Sequence, residues 1–281
     1  MKITATADGP LLDLLEARFP EASKTTLRQM LRHDRVTLDR QVVRRANTPV
    51  RAGQVIEVAS AQRATTQPPG QILLRDTHVL AIEKPAGILS VARDPAADDT
   101  FYRRLNDYVQ ESSGKRERIF IVHRLDREAS GIMLFALDQE IQSRLQRTWA
   151  TTEKRYWALV EGRPPQEAGT IQSWLRENRA HKVYSTTEGP EARFAVTHYR
   201  VERAAASCTL LDVHIETGRK NQIRVHLSES GCPVVGDRKY GARTDPIRRL
   251  GLHAYFLAFT HPVSGERVRL RISMPGAFHI E

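Results

Sequence analysis

Apolar and polar positions in the first 60 residues follow the pattern of two short helices and a small antiparallel sheet. The leucines of LLDLLEARF predict an amphipathic helix that ends before Pro20, and Ser23 is a favourable N-cap for a second helix through TTLRQML. The segment RVTLDRQVV predicts two strands joined by a tight turn at Asp39 and Arg40. A further strand, GQVIEV, completes this predicted unit.

Strand patterns dominate the chain beyond residue 71. The predicted strands are the apolar or alternating segments HVLAIEK, IFIV, GIMLFAL, KRYWALVEG and CTLLDVHIE. Asp138 is positioned to cap a helix, and a second helix, NQIRVHLSES, is expected to stop at Gly231. Because strands and helices do not alternate regularly, we predict an α+β fold with a mixed, mainly antiparallel sheet.

Residues 60–71, SAQRATTQPPGQ, are polar and contain Pro and Gly between two apolar-patterned regions. We therefore predict a small domain over residues 1–60, a linker over 61–71 and a larger domain over 72–281. No apolar run approaches the ~18 residues that a membrane span needs, and MKITATADGP lacks the apolar core of a secretory signal. The cysteines Cys208 and Cys232 form no CxxC pair, so we expect a reducing, cytoplasmic location without a disulfide framework.

The net charge of +10 is unevenly distributed. Between Lys24 and Arg51 there are eight Lys or Arg residues and two Asp or Glu residues, and Arg28, Arg32 and Arg35 follow one another at helical spacing. A solvated helix face, or a genome that favours Arg codons, is the alternative explanation for such an excess. We predict a surface that binds the phosphates of a polyanionic partner such as a nucleic acid. Its predicted residues are Lys24, Arg28, Arg32, Arg35, Arg44 and Arg45.

Three places in the larger domain carry residues suited to chemistry. The run His123-Arg124-Leu125-Asp126 separates two apolar strands, and a structural turn in which Asp126 bonds backbone amides is the alternative. Residues 217–226 crowd three cations at a strand-to-helix turn, which also suits a helix start that merely tolerates anions. Tyr156 lies within KRYWALVEG, where a core aromatic is the alternative to a catalytic one.

Together these segments are more specific than any one of them. In order along the chain they are HVLAIEKPAGILSV, VHRLDREASGIMLFAL, EKRYWALVEG, ETGRKNQIRVHLSESGCPVVGDRKYG and LHAYFLAFTHPVSGE. In order and spacing they resemble the RluA-like family of RNA pseudouridine synthases over most of residues 72–275. Residues 8–60, through SKTTLRQMLRHDRVTLDRQVV and its flanking segments, resemble the alpha-L RNA-binding domain first seen in a small-subunit ribosomal protein. Asp34 stands where that domain usually has Gly.

The resemblance implies an enzyme that isomerises uridine in structured RNA to pseudouridine, by breaking the N1–C1′ bond and forming a C5–C1′ bond. Asp126 matches the family's catalytic aspartate, which would act as a nucleophile on the sugar or uracil, or as the base that removes a sugar proton. Arg224 matches the Arg that pairs with this aspartate. Tyr156 matches the Tyr that packs against the target base and assists proton transfer.

The target uridine must leave its stack to reach such a pocket. By the same resemblance, Arg124 would fill the vacated space and Leu252, in competition with Ile223, would form an apolar wall. The predicted substrate-binding residues are His123, Arg124, Arg219, Gln222 and Leu252. The resemblance implies no cofactor and no metal, and we expect a monomer that acts on large-subunit rRNA in preference to tRNA.

Two residues depart from the family pattern. Ala129 stands where the family often has Thr, and Asn221 stands where many members have His. We expect neither residue to touch Asp126, Tyr156 or Arg224.

Three other functions are weighed against this one. A noncatalytic RNA-binding protein would share the charge but would not require Asp126 and Arg224. A glycoside hydrolase would need a second carboxylate across the scissile bond, and Glu128 is too close to Asp126 in sequence for that role. A metal-dependent hydrolase would need convergent ligands without any strong ligand spacing. Its candidates would be His123, Asp126, His214, His226 and Asp237.

Overall fold

The structure is a computed structural model that describes residues 1–32, 35–59, 67–92 and 99–279, with Arg32 described in its backbone only. The chain divides into two compact units, Met1–Thr66 and Gln67–Glu281. Residues 60–66 lie outside the described part and contain most of the predicted linker, so the domain boundaries stay predictions. Asp34 also lies outside the described residues.

The small unit combines two helices with short strands. The helices are α1 (Leu11–Arg18) and α2 (Lys24–Arg32). The strands are β1 (Lys2–Thr4), β2 (Gly9–Pro10), β3 (Val36–Leu38), β4 (Gln41–Val42), β5 (Pro49–Val50) and β6 (Val55–Val58). An antiparallel sheet has the strand order β1–β6–β3–β4, and β2 pairs with β5.

The helices and the hairpin predicted for this unit are confirmed. The Oγ of Ser23 accepts a hydrogen bond from the Thr26 N–H at 3.1 Å and so caps α2. Asp39 and Arg40 have φ angles of 48° and 70°, the left-handed conformation that a two-residue hairpin turn between β3 and β4 requires.

The basic residues of α2 are only partly arranged as predicted. Leu27 is fully buried in the unit's apolar core, whereas Arg28 is exposed on the helix surface. The helix ends at Arg32, so Arg35 does not continue its exposed face. The Arg35 guanidinium instead donates to the Ala59 carbonyl, at 3.1 Å from Nη2, because the chain has already turned into β3.

In its described residues, the large unit consists of strands and three α-helices. The helices are α3 (Phe101–Ser112), α4 (Gln139–Arg147) and α5 (Gln222–Glu229), and 3₁₀ turns span Trp149–Thr151, Arg238–Tyr240 and Gly276–Phe278. The strands are β7 (Ile72–Arg75), β8 (Val79–Lys84), β9 (Phe120–Ile121), β10 (Ser130–Ala136), β11 (Glu153–Glu161), β12 (Ala168–Glu177), β13 (Val183–Thr186), β14 (Arg193–Ala204), β15 (Cys208–Ile215), β16 (Leu252–Thr260) and β17 (Arg267–Arg271). Within the described ranges, no helix is long and apolar enough to span a membrane.

These eleven strands form one sheet in the order β13–β12–β14–β15–β11–β16–β10–β8–β7, with β17 paired to β16 and β9 paired to β10. β10 and β16 run parallel, and the other strand pairs that the structure describes in this sheet are antiparallel. The predicted α+β class with a mixed, mainly antiparallel sheet is therefore confirmed.

Both faces of β10 are covered, which explains why GIMLFAL is apolar at every position. Met133 and Phe135 pack into the core that contains α3 and α5, whereas Ile132 and Leu134 pack into the core that contains α4. The caps predicted at the helix ends are present, since the Asp138 carboxylate accepts from Ile141 N–H at 2.8 Å. β10, which follows the 122–129 loop, is thus buried along its whole length.

The parallel contact between β10 and β16 requires glycine at its start. Gly131 has a φ of 125°, and a Cβ at this position would lie 2.2 Å from the carbonyl oxygen of Ala254. The two strands therefore approach more closely at Gly131 than a side chain allows. This close contact fixes where the 122–129 loop emerges.

Candidate active site

Asp126 lies in the loop between β9 and β10, and side chains from the preceding segment hold this loop. The Oγ of Ser90 donates to the Leu125 carbonyl at 2.7 Å and accepts from the Leu125 N–H at 3.1 Å. The Nζ of Lys84, at the end of β8, donates to the Arg127 carbonyl at 3.1 Å. The backbone is therefore anchored on both sides of Asp126.

Lys84 acts as a clamp for this part of the chain. It is fully buried, and its ammonium also donates to the carbonyls of Pro85 and Ile88, each at 2.8 Å. Burial lowers the pKa of Lys84 to about 8, against the opposing effect of Glu128 and Asp126. Three carbonyl acceptors match the three donors of an ammonium, so the buried charge has a partner in every direction.

Arg224, on α5, is held from three sides. Its Nε and Nη2 donate to the two carboxylate oxygens of Asp237, at 2.6 and 2.8 Å. Its Nη1 donates to Oδ2 of Asp126 and to Oδ1 of Asn221, both at 3.2 Å. The Tyr240 ring centroid lies 5.0 Å from its guanidinium carbon. The guanidinium is thus fixed with one edge toward Asp126.

The charge of Arg224 is maintained in spite of burial. Its side chain is 10% exposed, that of Asp126 is 19% exposed and that of Asp237 is 1% exposed. Burial by itself lowers the pKa of the guanidinium, but hydrogen bonds and charge interactions with Asp237 and Asp126 raise it overall. Arg224 is therefore a permanent cation beside the Asp126 carboxylate.

Tyr156 lies in β11 with neighbours on both sides, Val213 on β15 and Ala254 on β16. Burial, and to a smaller extent the charge of Asp126, raise the pKa of Tyr156 above its ordinary value. The phenol is therefore neutral at physiological pH and can donate a proton or a hydrogen bond. It packs at the edge of the apolar core rather than within it.

The three side chains open onto one cleft. The cleft is lined by Arg124, Leu125, Asp126, Ala129, Tyr156, Ile215, Gly218, Arg219, Asn221, Gln222, Ile223, Arg224 and Leu252. An anionic carboxylate, a paired cation and a neutral phenol thus meet an apolar wall that contains Leu252 and Ile223. This combination suits proton transfer or nucleophilic attack on a planar, partly apolar group.

A family model for RNA pseudouridylate synthases matches residues 78–229. The chain belongs to the RluA-like RNA pseudouridine synthases. It is thus an RNA-modifying enzyme, and its reaction is the isomerisation of uridine in RNA to pseudouridine.

Relatives and solved structures agree with this assignment. An uncharacterised RNA pseudouridine synthase of Mycobacterium bovis is 40% identical over 71% of this chain and 67% of its own length. A ribosomal large subunit pseudouridine synthase D of Xanthomonas campestris is 31% identical over 96% of this chain and 87% of its own. The solved structure of human RNA pseudouridylate synthase domain containing 4 has a TM-score of 0.62 and 26% identity, and the match covers 74% of this chain and 89% of the human one.

The predicted catalytic and substrate-binding residues of this synthase line the cleft, except for His123. The His123 ring stacks on Trp149 with centroids 4.5 Å apart, and its Nε2 accepts from the Leu134 N–H at 2.9 Å. Burial, together with the charge of Lys154, lowers the pKa of His123 to about 3. These contacts direct His123 toward the α4 side of the sheet, so its predicted contact with substrate stays a prediction.

Gln222 and Arg219 line the cleft, but both also hold its turn in place. The Gln222 amide oxygen accepts from the Arg219 N–H at 3.0 Å, and the amide nitrogen donates to the Val196 carbonyl at 2.9 Å. The Arg219 Nε donates to the Phe194 carbonyl at 3.0 Å. The turn before α5 is therefore tied to β14, and Arg219 reaches the cleft from a fixed base.

The expectation that the departures touch none of the three catalytic candidates is wrong. Asn221 accepts a hydrogen bond from Arg224, because its left-handed backbone (φ 53°) at the start of α5 turns its side chain toward the guanidinium. Ala129 donates its backbone N–H to the Asp126 carbonyl at 3.2 Å. Both departures thus belong to the immediate surroundings of the site.

Four residues that hold the site in place were not predicted from the sequence to do so. Lys84 and Ser90 hold the Asp126 loop, whereas Asp237 and Tyr240 hold Arg224. Asp237 was considered only as a ligand in the metal-hydrolase alternative. A usable signal was present, since a charged residue inside an apolar segment such as HVLAIEK or PVVGDRKYG needs a buried partner.

Three of the candidate ligands of the metal-hydrolase alternative have other hydrogen-bond or ion-pair partners. Asp126 and Asp237 flank Arg224, and His226 lies between the hydroxyls of Thr197 (2.8 Å) and Ser173 (2.9 Å). In the part of the chain that the structure describes, no three His, Cys, Asp or Glu side chains lie close enough to share a metal ion.

Proposed function

We propose that this synthase uses Asp126 as its catalytic carboxylate, with Arg224 and Tyr156 as partners, on a uridine of large-subunit ribosomal RNA. The observation that carries the proposal is the 3.2 Å contact between Arg224 Nη1 and Asp126 Oδ2 in a cleft that Tyr156 also lines. One oxygen of Asp126 meets the cation, and the carboxylate is still 19% exposed toward the cleft.

The reaction conserves every atom of the uridine. The N1–C1′ bond breaks, the uracil turns, and a C5–C1′ bond forms. The C5 proton is then lost and N1 gains a proton, so the net change is an isomerisation without an oxidant, a reductant or a second substrate. Asp126 would attack the sugar or the uracil, or would remove a sugar proton. The neutral phenol of Tyr156 is suited to relay the C5 proton.

The target base must first be extruded from its stack, which costs a few kcal/mol. Arg124 is exposed and lies two residues before Asp126, so it is suited to fill the space that the uridine leaves. Binding energy from RNA outside the cleft would offset the extrusion. The basic surface of the small unit, which contains Arg28 and Arg45, is proposed to supply part of it.

A ribosomal target is supported by relatives that match nearly the whole chain. Proteins named ribosomal large subunit pseudouridine synthase D in Xanthomonas campestris and Pseudomonas aeruginosa cover 96% of this chain. Their similarity therefore includes the small unit as well as the catalytic one. With this substrate we propose a cytoplasmic monomer that requires no metal.

Two measurements test the proposal. Asp126→Asn should abolish pseudouridine formation, by about 10³-fold or more, while RNA binding is unchanged, because the amide keeps the shape but loses the charge. Pseudouridine mapping of total RNA with and without the gene should lose a signal in large-subunit rRNA. Full activity of the Asn variant would refute the catalytic role, and a lost signal only in tRNA would refute the rRNA target.

A further inference from the structure

Four of the five N–H donors of the Arg224 guanidinium are already hydrogen bonded. Nε and one N–H of Nη2 are taken by Asp237, and Nη1 divides its two N–H groups between Asp126 and Asn221. The second N–H of Nη1 is thus taken by the Asn221 oxygen, at a fixed angle from the N–H that donates to Asp126. The Asn221 contact therefore helps to hold the guanidinium in the orientation that directs one N–H at Asp126.

Asn221 is itself held in one orientation. Its Nδ2 donates to the Tyr240 hydroxyl at 2.9 Å, which identifies Oδ1 as the atom that faces Arg224. The same hydroxyl accepts from the Val183 N–H of β13 at 3.1 Å. Asn221 is 7% exposed and lines the cleft, so a buried chain of contacts runs from β13 through Tyr240 and Asn221 to Arg224.

If Asn221 only stabilised the start of α5, its side chain would be expected to cap that helix. Asn221 has a φ of 53° and precedes the first residue of α5, but its side chain makes no capping hydrogen bond to that helix. Its polar atoms point instead to the catalytic cation and to Tyr240.

We propose that Asn221 is a positioning residue for the reaction. It fixes the Arg224 N–H groups so that Asp126 receives one hydrogen bond on Oδ2, and Tyr240 keeps the amide in the required orientation. The inference rests on the proposed roles of Asp126 and Arg224. It adds a residue of this chain that controls how the carboxylate is bound before reaction.

The first test compares two single variants and their combination. Asn221→Leu removes the amide at similar volume, and Tyr240→Phe removes only the hydroxyl. We expect each to lower the single-turnover rate constant at saturating enzyme by about tenfold or more, because a hydrogen bond to a charged group is affected. The dissociation constant for RNA should stay within about twofold, and the double variant should be no slower than the slower single one.

The matched control is Asn178→Leu. Asn178 is exposed, and its side-chain oxygen accepts from the Lys182 N–H at 2.9 Å outside the cleft, so this variant should keep the full rate. Thermal unfolding of all variants checks that the folded fraction is unchanged. A full rate in Asn221→Leu, or rate losses in the two single variants that multiply in the double variant, would overturn the positioning role.

The second test is Asn221→His with a pH profile. A neutral imidazole at this position can accept from Arg224, so the rate above pH 7.5 should approach that of the parent enzyme. A protonated imidazole cannot accept and repels the guanidinium. We therefore expect the rate of this variant, relative to the parent at each pH, to fall at a pH below about 6.5, because burial and the Arg224 charge lower the pKa of the new ring from its ordinary value. A constant ratio across the range would count against the proposal.

Other ionisable groups surround position 221, and their titration must not be mistaken for that of the new ring. They are Asp126, Arg219, Lys220 with Glu177, Arg224, Asp237, Tyr240, and Lys182 and Lys239 over the Tyr240 ring. His226, on the same helix, has its pKa lowered to about 4 by burial, so it titrates below the window of this test. The parent enzyme carries all of these groups, so dividing the rate of the variant by that of the parent at each pH removes their contribution.

The outcomes separate this inference from the proposed function. If Asp126→Asn retains activity, the proposed catalytic role fails before Asn221 is considered. If Asp126→Asn is inactive while Asn221→Leu keeps the full rate, the catalytic role stands and the positioning role fails.

Discussion

Asp126 and Arg224 are 98 positions apart in the chain, yet Arg224 Nη1 lies 3.2 Å from Asp126 Oδ2. The same guanidinium binds Asp237 through two other nitrogens, so one cation is shared by two carboxylates. Both oxygens of Asp237 accept hydrogen bonds from the guanidinium edge formed by Nε and Nη2, whereas Asp126 accepts one hydrogen bond, from Nη1. This asymmetry fits the proposed catalytic role of Asp126, because a carboxylate with a single bound oxygen keeps the other oxygen available to a substrate.

Arg224→Lys should therefore be a severe change although the charge is kept. A single ammonium cannot bind both oxygens of Asp237 and also reach Asp126. We expect a loss of about 10²-fold or more in the single-turnover rate, and a loss of about 3 kcal/mol in the free energy of unfolding. Urea unfolding and pseudouridine formation measure the two effects. Arg243→Lys, outside the cleft, is the control, and equal behaviour of both variants would contradict the shared-cation arrangement.

Tyr156→Phe separates the ring of this residue from its hydroxyl. Because burial and Asp126 raise its pKa, the phenol is neutral and acts as a donor or relay rather than as a phenolate base. We expect Tyr156→Phe to lower the rate of product formation by about 10²-fold, with RNA affinity unchanged. The parent enzyme should show no increase in rate between pH 8 and pH 9.5 from ionisation of this group. A Phe variant with the parent rate would limit Tyr156 to packing.

Gly131→Ala should prevent close contact between β10 and β16. The added Cβ would meet the Ala254 carbonyl oxygen at 2.2 Å, and the φ of 125° is unfavourable for any side chain. We expect a loss of several kcal/mol in the free energy of unfolding, or no folded protein. The control is Gly218→Ala, where a Cβ would meet nothing within 4 Å and φ is not positive. Similar melting temperatures for the two variants would contradict this reading of the sheet.

His123 should make the large unit less stable in acid. Its folded-state pKa is lowered to about 3, below the value of about 6.5 expected when unfolded, so only the unfolded chain takes up a proton between these pH values. Stability is thus lost as pH falls from about 6.5 toward 3. When the pH is lowered from 7 to 5, we expect the free energy of unfolding to fall by about 2 kcal/mol less in His123→Gln than in the parent. The exposed His279→Gln should follow the parent, and parallel curves for all three proteins would refute the assignment.

The basic surface of the small unit should act through phosphates. Arg28→Ala and Arg45→Ala, both exposed, should each weaken RNA binding and reduce the slope of log affinity against log salt by about one. The rate at saturating enzyme should not change, since neither residue lies in the cleft. Lys2→Ala, elsewhere on the same unit, is the control. An unchanged slope in the Arg variants would exclude these residues from the RNA interface.

The sequence predicted the local elements well because each depends on neighbouring residues. The leucines of α1, the Ser23 cap of α2 and the Asp138 cap of α4 act within one or two turns, and the structure confirms them. The same local reasoning placed Arg35 both on the exposed face of α2 and at the start of the predicted strand RVTLDRQVV. Arg35 directly precedes β3, so it belongs with the strand rather than with α2, which is described to Arg32. The pairing of β3 with β6 joins segments that are distant in the sequence, so the local pattern did not show it.

The sequence by itself determined the elements, the α+β class and, through motifs read in order, which carboxylate, cation and phenol belong together. Only the tertiary structure decided what supports them. His123 stacks on Trp149, Asn221 accepts a hydrogen bond from Arg224, and Lys84 donates to three carbonyls. A buried polar group needs a hydrogen-bond partner, and the packing of the chain decides which atoms are near enough to serve. Those partners are set by contacts between strands far apart in the chain.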